Sequence, residues 1–190
     1  MEQTDYSTAV NVFLNPSADE TVMETELAAV GFADRSAAAA CLLRLAATPE
    51  TRTALAQALP ALLNALSEVA DPNPVLVNIE RFVKNIEKPI DLYHDFAQNP
   101  RLPEILTTIF SGSRFLTEIL LHRPHYFERL TAHQQLAQQK EAHEFRAEVQ
   151  AKIKLLLDTE GPTDPVALFN ALRRFQRWEL LRIGVADLLG

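Results

Sequence analysis

The chain is 190 residues long, 47% apolar and 23% charged, with a formal net charge of −7. That balance excludes a disordered chain, leaves enough length to bury a core without a metal or disulfide staple, and removes the long-range attraction typical of nucleic-acid binders. The lone cysteine, Cys41, excludes an internal disulfide framework.

The start MEQTDYSTAV is acidic and has no signal-peptide pattern, and no window approaches ~18 uninterrupted apolar residues. A cytoplasmic location is expected. Glycine is scarce while Ala, Leu, Glu, Gln and Arg abound, which is helix-forming composition.

In chain order, NPSADE (15–20) closes a short first segment, and 21–30 predicts a helix ending at Gly31. Asp34 caps the next helix, whose apolar side is Leu42, Leu43, Leu45 and Ala46. Thr48 followed by Pro49 is a cap with a first-turn proline, and Pro60 is read as opening a separate apolar helix to about Val69. DPNP (71–74) is the clearest break. After it Val75, Ile79, Phe82, Val83 and Ile86 recur at three and four residues, predicting one buried face.

Pro89, NPRLP (99–103) and Pro124 mark further boundaries, and SGS (111–113) a turn or cap. The polar segment from Thr131 to about Glu160 offers Leu136, Phe145, Val149, Ile153 and Leu156 as its buried positions. GPTDP (161–165) ends it, with Asp164 capping a last helix. Nothing reads as a strand. The expected fold is all-α, a bundle-like or orthogonal array of about nine to eleven helices.

Motifs for chemistry are sparse. There is no GxxxxGK(S/T) and no GxGxxG, so no phosphate-cradling loop is visible. Glu118 and His122, His122 and His125, and His94 with Asp91 and Asp95 are ordinary polar groups before they are metal ligands. Cys41, set among alanines and leucines, reads as a small buried apolar residue. No catalytic, cofactor or metal residue is assigned.

The last helix says more. Leu168, Leu172, Phe175, Leu181, Val185 and Leu188 form an apolar line, and Leu180, Ile183 and Leu189 widen it enough to predict contact on two sides. Arg173, Arg174, Arg177 and Arg182 fill much of the rest, with Glu179 a local partner for Arg182. Arg173, Arg174, Arg177, Trp178 and Arg182 are the candidate interdomain or partner contacts.

Several stretches together resemble one family. LRRFQRWELLRIGVADLLG (172–190) looks like the helix that precedes the nucleotidyltransferase domain of bacterial glutamine synthetase adenylyltransferases. FSGSRFLTEILLHRPHYFERL (110–130), NIERFV (78–83) and LAAVGFADRSAAAACLLRL (27–45) are similar to further elements of that family, in family order. Trp178 departs from the pattern, standing where the family tends to have another basic residue.

The resemblance implies a parent protein that transfers AMP from ATP to glutamine synthetase and removes it again, under the PII signalling protein, with Mg2+ and ATP bound elsewhere. It implies that these 190 residues are a non-catalytic N-terminal helical region, with no cofactor of their own. Residues 1–26 would be a segment without assignment, 27–160 a helical domain, and 161–190 a final helix joined in cis to a nucleotidyltransferase domain beyond Gly190. The expected partners are that domain, glutamine synthetase and PII, with neither nucleic acid nor membrane. The main alternative is a self-contained helical interaction module without enzymatic activity. A nucleic-acid binder using the four arginines, and a small-molecule enzyme, rank below it.

Overall fold

The computed structural model describes residues 7–14, 20–132, 141–160 and 165–190, and it is all-α. Among the described residues there are eleven helices and no strand. They are α1 (Ser7–Leu14), α2 (Glu20–Val30), α3 (Arg35–Leu45), α4 (Pro49–Ser67), α5 (Pro72–Lys84), α6 (Pro89–Gln98), α7 (Arg101–Gly112), α8 (Arg114–His122), α9 (His125–Thr131), α10 (Ala142–Glu160) and α11 (Pro165–Leu189). The chain divides into two compact units, within Met1–His125 and within Tyr126–Leu188.

Local chemistry sets most boundaries of the first unit. α2 stops at Gly31, whose φ of 98° favours glycine. Gly31 N–H donates to the Ala28 carbonyl and Phe32 N–H to Leu27, which satisfies the last carbonyls of the helix. Asp34 accepts from Ala37 N–H at 2.9 Å and starts α3. Thr48 and Thr51 exchange side-chain and backbone hydrogen bonds at the head of α4. Asp71 caps α5, and Ser113 both ends α7 and caps α8. Asn73 clasps the corner before α3: its Oδ1 accepts from Ala33 N–H, and its Nδ2 donates to the Asp34 carbonyl.

Pro60 does not open a helix; it lies inside α4. Having no N–H, it cannot complete the usual bond to the Ala56 carbonyl, a loss of ~3 kcal/mol in a helix interior. A continuous α4, however, buries Leu59, Leu62, Leu63 and Leu66 fully, and each such side chain contributes about 1.5–3 kcal/mol. Burial wins. α4 is the centre of the unit, packed along α6 and against α1, α2, α3, α5 and α7.

Two smaller expectations are also corrected. Leu43 is exposed, because it points away from the side of α3 that buries Ala38, Cys41, Leu42 and Leu45. Ile86 falls just past the end of α5 and is half-buried, while Val75, Ile79, Phe82 and Val83 form the predicted buried face. Phe82 meets Phe110 of α7 edge-on at 5.9 Å. Tyr93 of α6 donates its hydroxyl to the Leu45 carbonyl at 2.8 Å, and burial pushes its phenol pKa up.

In the second unit, Phe145, Val149 and Ile153 of α10 are only half-buried rather than core. Leu136, Asp164 and the side chain of Leu156 lie outside the described residues.

Candidate functional site

α11 is positioned by its single tryptophan. Trp178 is 1% exposed; the Tyr126 ring meets it edge-on at 5.5 Å, and the Arg129 guanidinium lies 3.8 Å from its ring centroid. Tyr126 also donates its hydroxyl to the Arg174 carbonyl at 3.2 Å. One short helix, α9, therefore holds α11 through a ring, a cation and a hydroxyl. Leu181 and Val185 continue the buried side one and two turns on.

The arginines divide into two kinds. Arg182 is buried and donates Nε–H to Glu179 Oε2 at 3.0 Å, the local pairing that the spacing predicts. Breaking such a pair leaves a buried charge uncompensated, at a cost of about 3–5 kcal/mol. Arg182 is thus part of the helix's own packing and does not belong to an open basic patch. Arg173, Arg174 and Arg177 are exposed. Arg173 and Arg177 are four apart and Arg174 and Arg177 three apart, so their like charges repel along one side of the helix. A planar guanidinium suits a carboxylate or phosphate, and a row of three lowers its repulsion by meeting one.

The aromatic anchor was only partly visible in the sequence, where Trp178 stood out as a departure within a basic stretch. Its partners Tyr126 and Arg129 are about fifty residues earlier, and HYFERL presents them as one helix face without indicating what they touch.

A second polar cluster lies within the first unit and was not anticipated. Glu80 of α5 is buried and accepts from Arg44 Nε and Nη2, both at 2.7 Å, and from Lys84 Nζ at 2.6 Å. Cys41 Sγ–H donates to Glu80 Oε2 at 3.1 Å. The Arg44 guanidinium, against the cost of burial, holds the Glu80 carboxyl well below the usual carboxylate range, with Lys84 and Cys41 assisting. Burial first, then the hydrogen bond and charge of Glu80, push the Cys41 thiol up to about 12. A saturated carboxylate and a protonated thiol make neither a base nor a nucleophile. The cluster ties α3 to α5.

His122 Nδ1 lies 2.8 Å from the Glu118 backbone carbonyl and 3.7 Å from Glu118 Oε2. Among the described residues no three His, Cys, Asp or Glu side chains are grouped to hold a metal ion. No helix of the described residues is long and apolar enough to cross a membrane.

Residues 104–190, from within α7 to the end of α11, match the model of the glutamate-ammonia ligase adenylyltransferase family. The similarity is one of low-identity homology to that family. A bifunctional glutamine synthetase adenylyltransferase/adenylyl-removing enzyme of Leifsonia xyli is 30% identical over 168 residues, 88% of this chain and 16% of that protein. The proteins of the same description from Mesorhizobium japonicum and Brucella melitensis are each 26% identical, over 77% and 70% of this chain and 14% and 13% of their own lengths. The chain thus spans about one-seventh of the curated adenylyltransferases it matches. No solved structure gives a significant match.

Proposed function

We propose that this chain is the N-terminal, non-catalytic helical part of an adenylyltransferase-like protein acting on glutamine synthetase in nitrogen regulation. The observation that carries the reading is the family match over residues 104–190, which takes in the whole Trp178-anchored helix. In this reading α11 is the rigid link to a nucleotidyltransferase domain. Trp178 and Arg182 fix the helix, while Arg174 and Arg177, with Arg173 at the edge of the row, meet acidic groups of that domain or of the modified protein. ATP, Mg2+ and the transferred AMP belong to that domain, glutamine synthetase and PII are the partners of the whole protein, and its location is cytoplasmic.

The test is the size of the native polypeptide, by immunoblot of source cells with an antibody raised against these residues. The reading expects a band several times larger than 21.3 kDa. A band at 21.3 kDa with processing excluded would overturn it and leave a stand-alone binding module.

A further inference from the structure

Hydrogen-bond donors gather around the indole of Trp178 without an acceptor to receive them. Trp178 is 1% exposed, and its Nε1–H is buried with no hydrogen-bond partner. A buried donor left this way costs stability until an acceptor reaches it. Over the same ring lies the guanidinium of Arg129, 3.8 Å from the ring centroid. Stacking uses the flat face of a guanidinium and leaves its N–H edge to bind elsewhere. Arg129 is exposed, and among the described residues neither a hydrogen bond nor an ion pair takes up that edge.

Arg174 completes the group. At about 100° per residue it falls roughly 40° from Trp178 around α11, on the same side of the helix. Tyr126, which packs on the indole, fixes the Arg174 backbone by donating to its carbonyl at 3.2 Å. The Arg174 side chain is exposed and, among the described residues, has no ion pair. Glu179, the acid next to Trp178 in sequence, is buried in its pair with Arg182.

We propose that Arg129, Arg174 and the Trp178 indole seat an oxyanion, the carboxylate or phosphate group of a ligand. The chemical class follows from the donors. Guanidinium and indole groups donate and do not accept, so a group that only accepts satisfies all of them. Two positive charges select one that is negative, and such charge-assisted bonds are the strong ones. A neutral amide or hydroxyl would bring its own donors to a site that offers no acceptor. For an oxygen to reach the indole N–H, the exposed Arg129 side chain has to shift along the ring, so binding changes the surroundings of the indole. The seat goes beyond the proposed link to a further domain, because this chain's own residues hold the ligand. A native band at 21.3 kDa would leave it standing.

Trp178 is the only tryptophan, so its fluorescence reports on the seat directly. Inorganic phosphate and glutarate are titrated separately into the 190-residue chain at neutral pH, each against sodium chloride of equal ionic strength. The expected result is a saturable change in emission with at least one of the two anions, at roughly millimolar concentration. Saturation by phosphate alone, or by glutarate alone, supports the seat and identifies the group that fits it. Arg129→Gln and Arg174→Gln should each weaken binding at least tenfold. Arg174 is exposed, so that variant is expected to keep the circular dichroism of the parent and to remain informative if Arg129→Gln unfolds. Arg173→Gln, roughly 140° from Trp178 around the helix, should change the affinity less than twofold. Emission that follows ionic strength alone overturns the proposal. So does equal weakening by Arg173→Gln, which would mean diffuse attraction to a basic helix.

Discussion

Replacing Glu80 by Gln removes one charge from the junction of α3 and α5 and leaves its shape almost intact. Four donors point at that carboxylate, two from Arg44 and one each from Lys84 and Cys41. A hydrogen bond to a charged group contributes about 1.5–3 kcal/mol when both partners are sequestered. Here the Arg44 and Lys84 side chains are 51% and 64% exposed, so water receives them once the charge is gone. That screening brings the expected loss for Glu80→Gln to about 2 kcal/mol rather than the sum of the bonds.

The loss should depend on pH with a definite sign. The folded-state pKa of Glu80 lies below its unfolded value, so its contribution is complete above the unfolded value of about 4.3 and declines as pH falls toward the folded one. Urea unfolding of both proteins, followed by far-ultraviolet circular dichroism, measures the gap. It should be about 2 kcal/mol at pH 7 and shrink by ~1.4 kcal/mol per unit below about pH 4. A gap under ~0.5 kcal/mol at pH 7, or one unchanged at pH 3, would refute an ionised, ion-paired Glu80.

Arg129→Met should destabilise the chain by about 1 kcal/mol and alter the fluorescence of Trp178, the only tryptophan; unchanged emission would deny the stacking. Gly31→Ala should cost roughly 1 kcal/mol in thermal or urea unfolding through its positive φ alone, since an added Cβ meets nothing within 4 Å; a neutral result would contradict that backbone conformation. Cys41 should resist alkylation near pH 8 in the native protein and react on unfolding. Rapid native modification would mean that the thiol is not held as a buried donor to Glu80.

What could be read from the sequence was local. Asp34 and Thr48 announce helix starts because a cap acts within three residues of itself, Gly31 announces a stop for the same reason, and the breaks read at DPNP and SGS hold the caps Asp71 and Ser113. Pro60 misled because one proline signal serves both a first turn and a helix interior, and only the burial of its neighbours decides between them. In α11 the sequence joined Leu172, Leu181 and Val185 in one apolar line widened by Leu180 and Ile183, whereas the structure splits them into a buried stripe with Leu181 and Val185 and an exposed one with Leu180 and Ile183, Leu172 being half-buried. Deciding which stripe is buried requires knowing that Tyr126 and Arg129 reach Trp178, a contact across about fifty residues. The Glu80 cluster stayed hidden because Arg44 and Cys41 are 36 and 39 residues away in α3 and no pattern links them, while the i, i+4 spacing to Lys84 gives only an ordinary helix pair. Family resemblance extended further than periodicity did, since it relates stretches that are far apart in the chain.

The clasp of Asn73 has a consequence for motion. One side-chain amide at the head of α5 holds both the Ala33 amide and the Asp34 carbonyl, the two groups that frame the start of α3. Surface corners between helices commonly open by themselves, with little connection to the rest of the fold. Opening this corner breaks both bonds to the head of α5. In native-state hydrogen exchange, the Ala33 amide should therefore follow the first turn of α5 and share its opening free energy, joining the two helix starts into one cooperative unit.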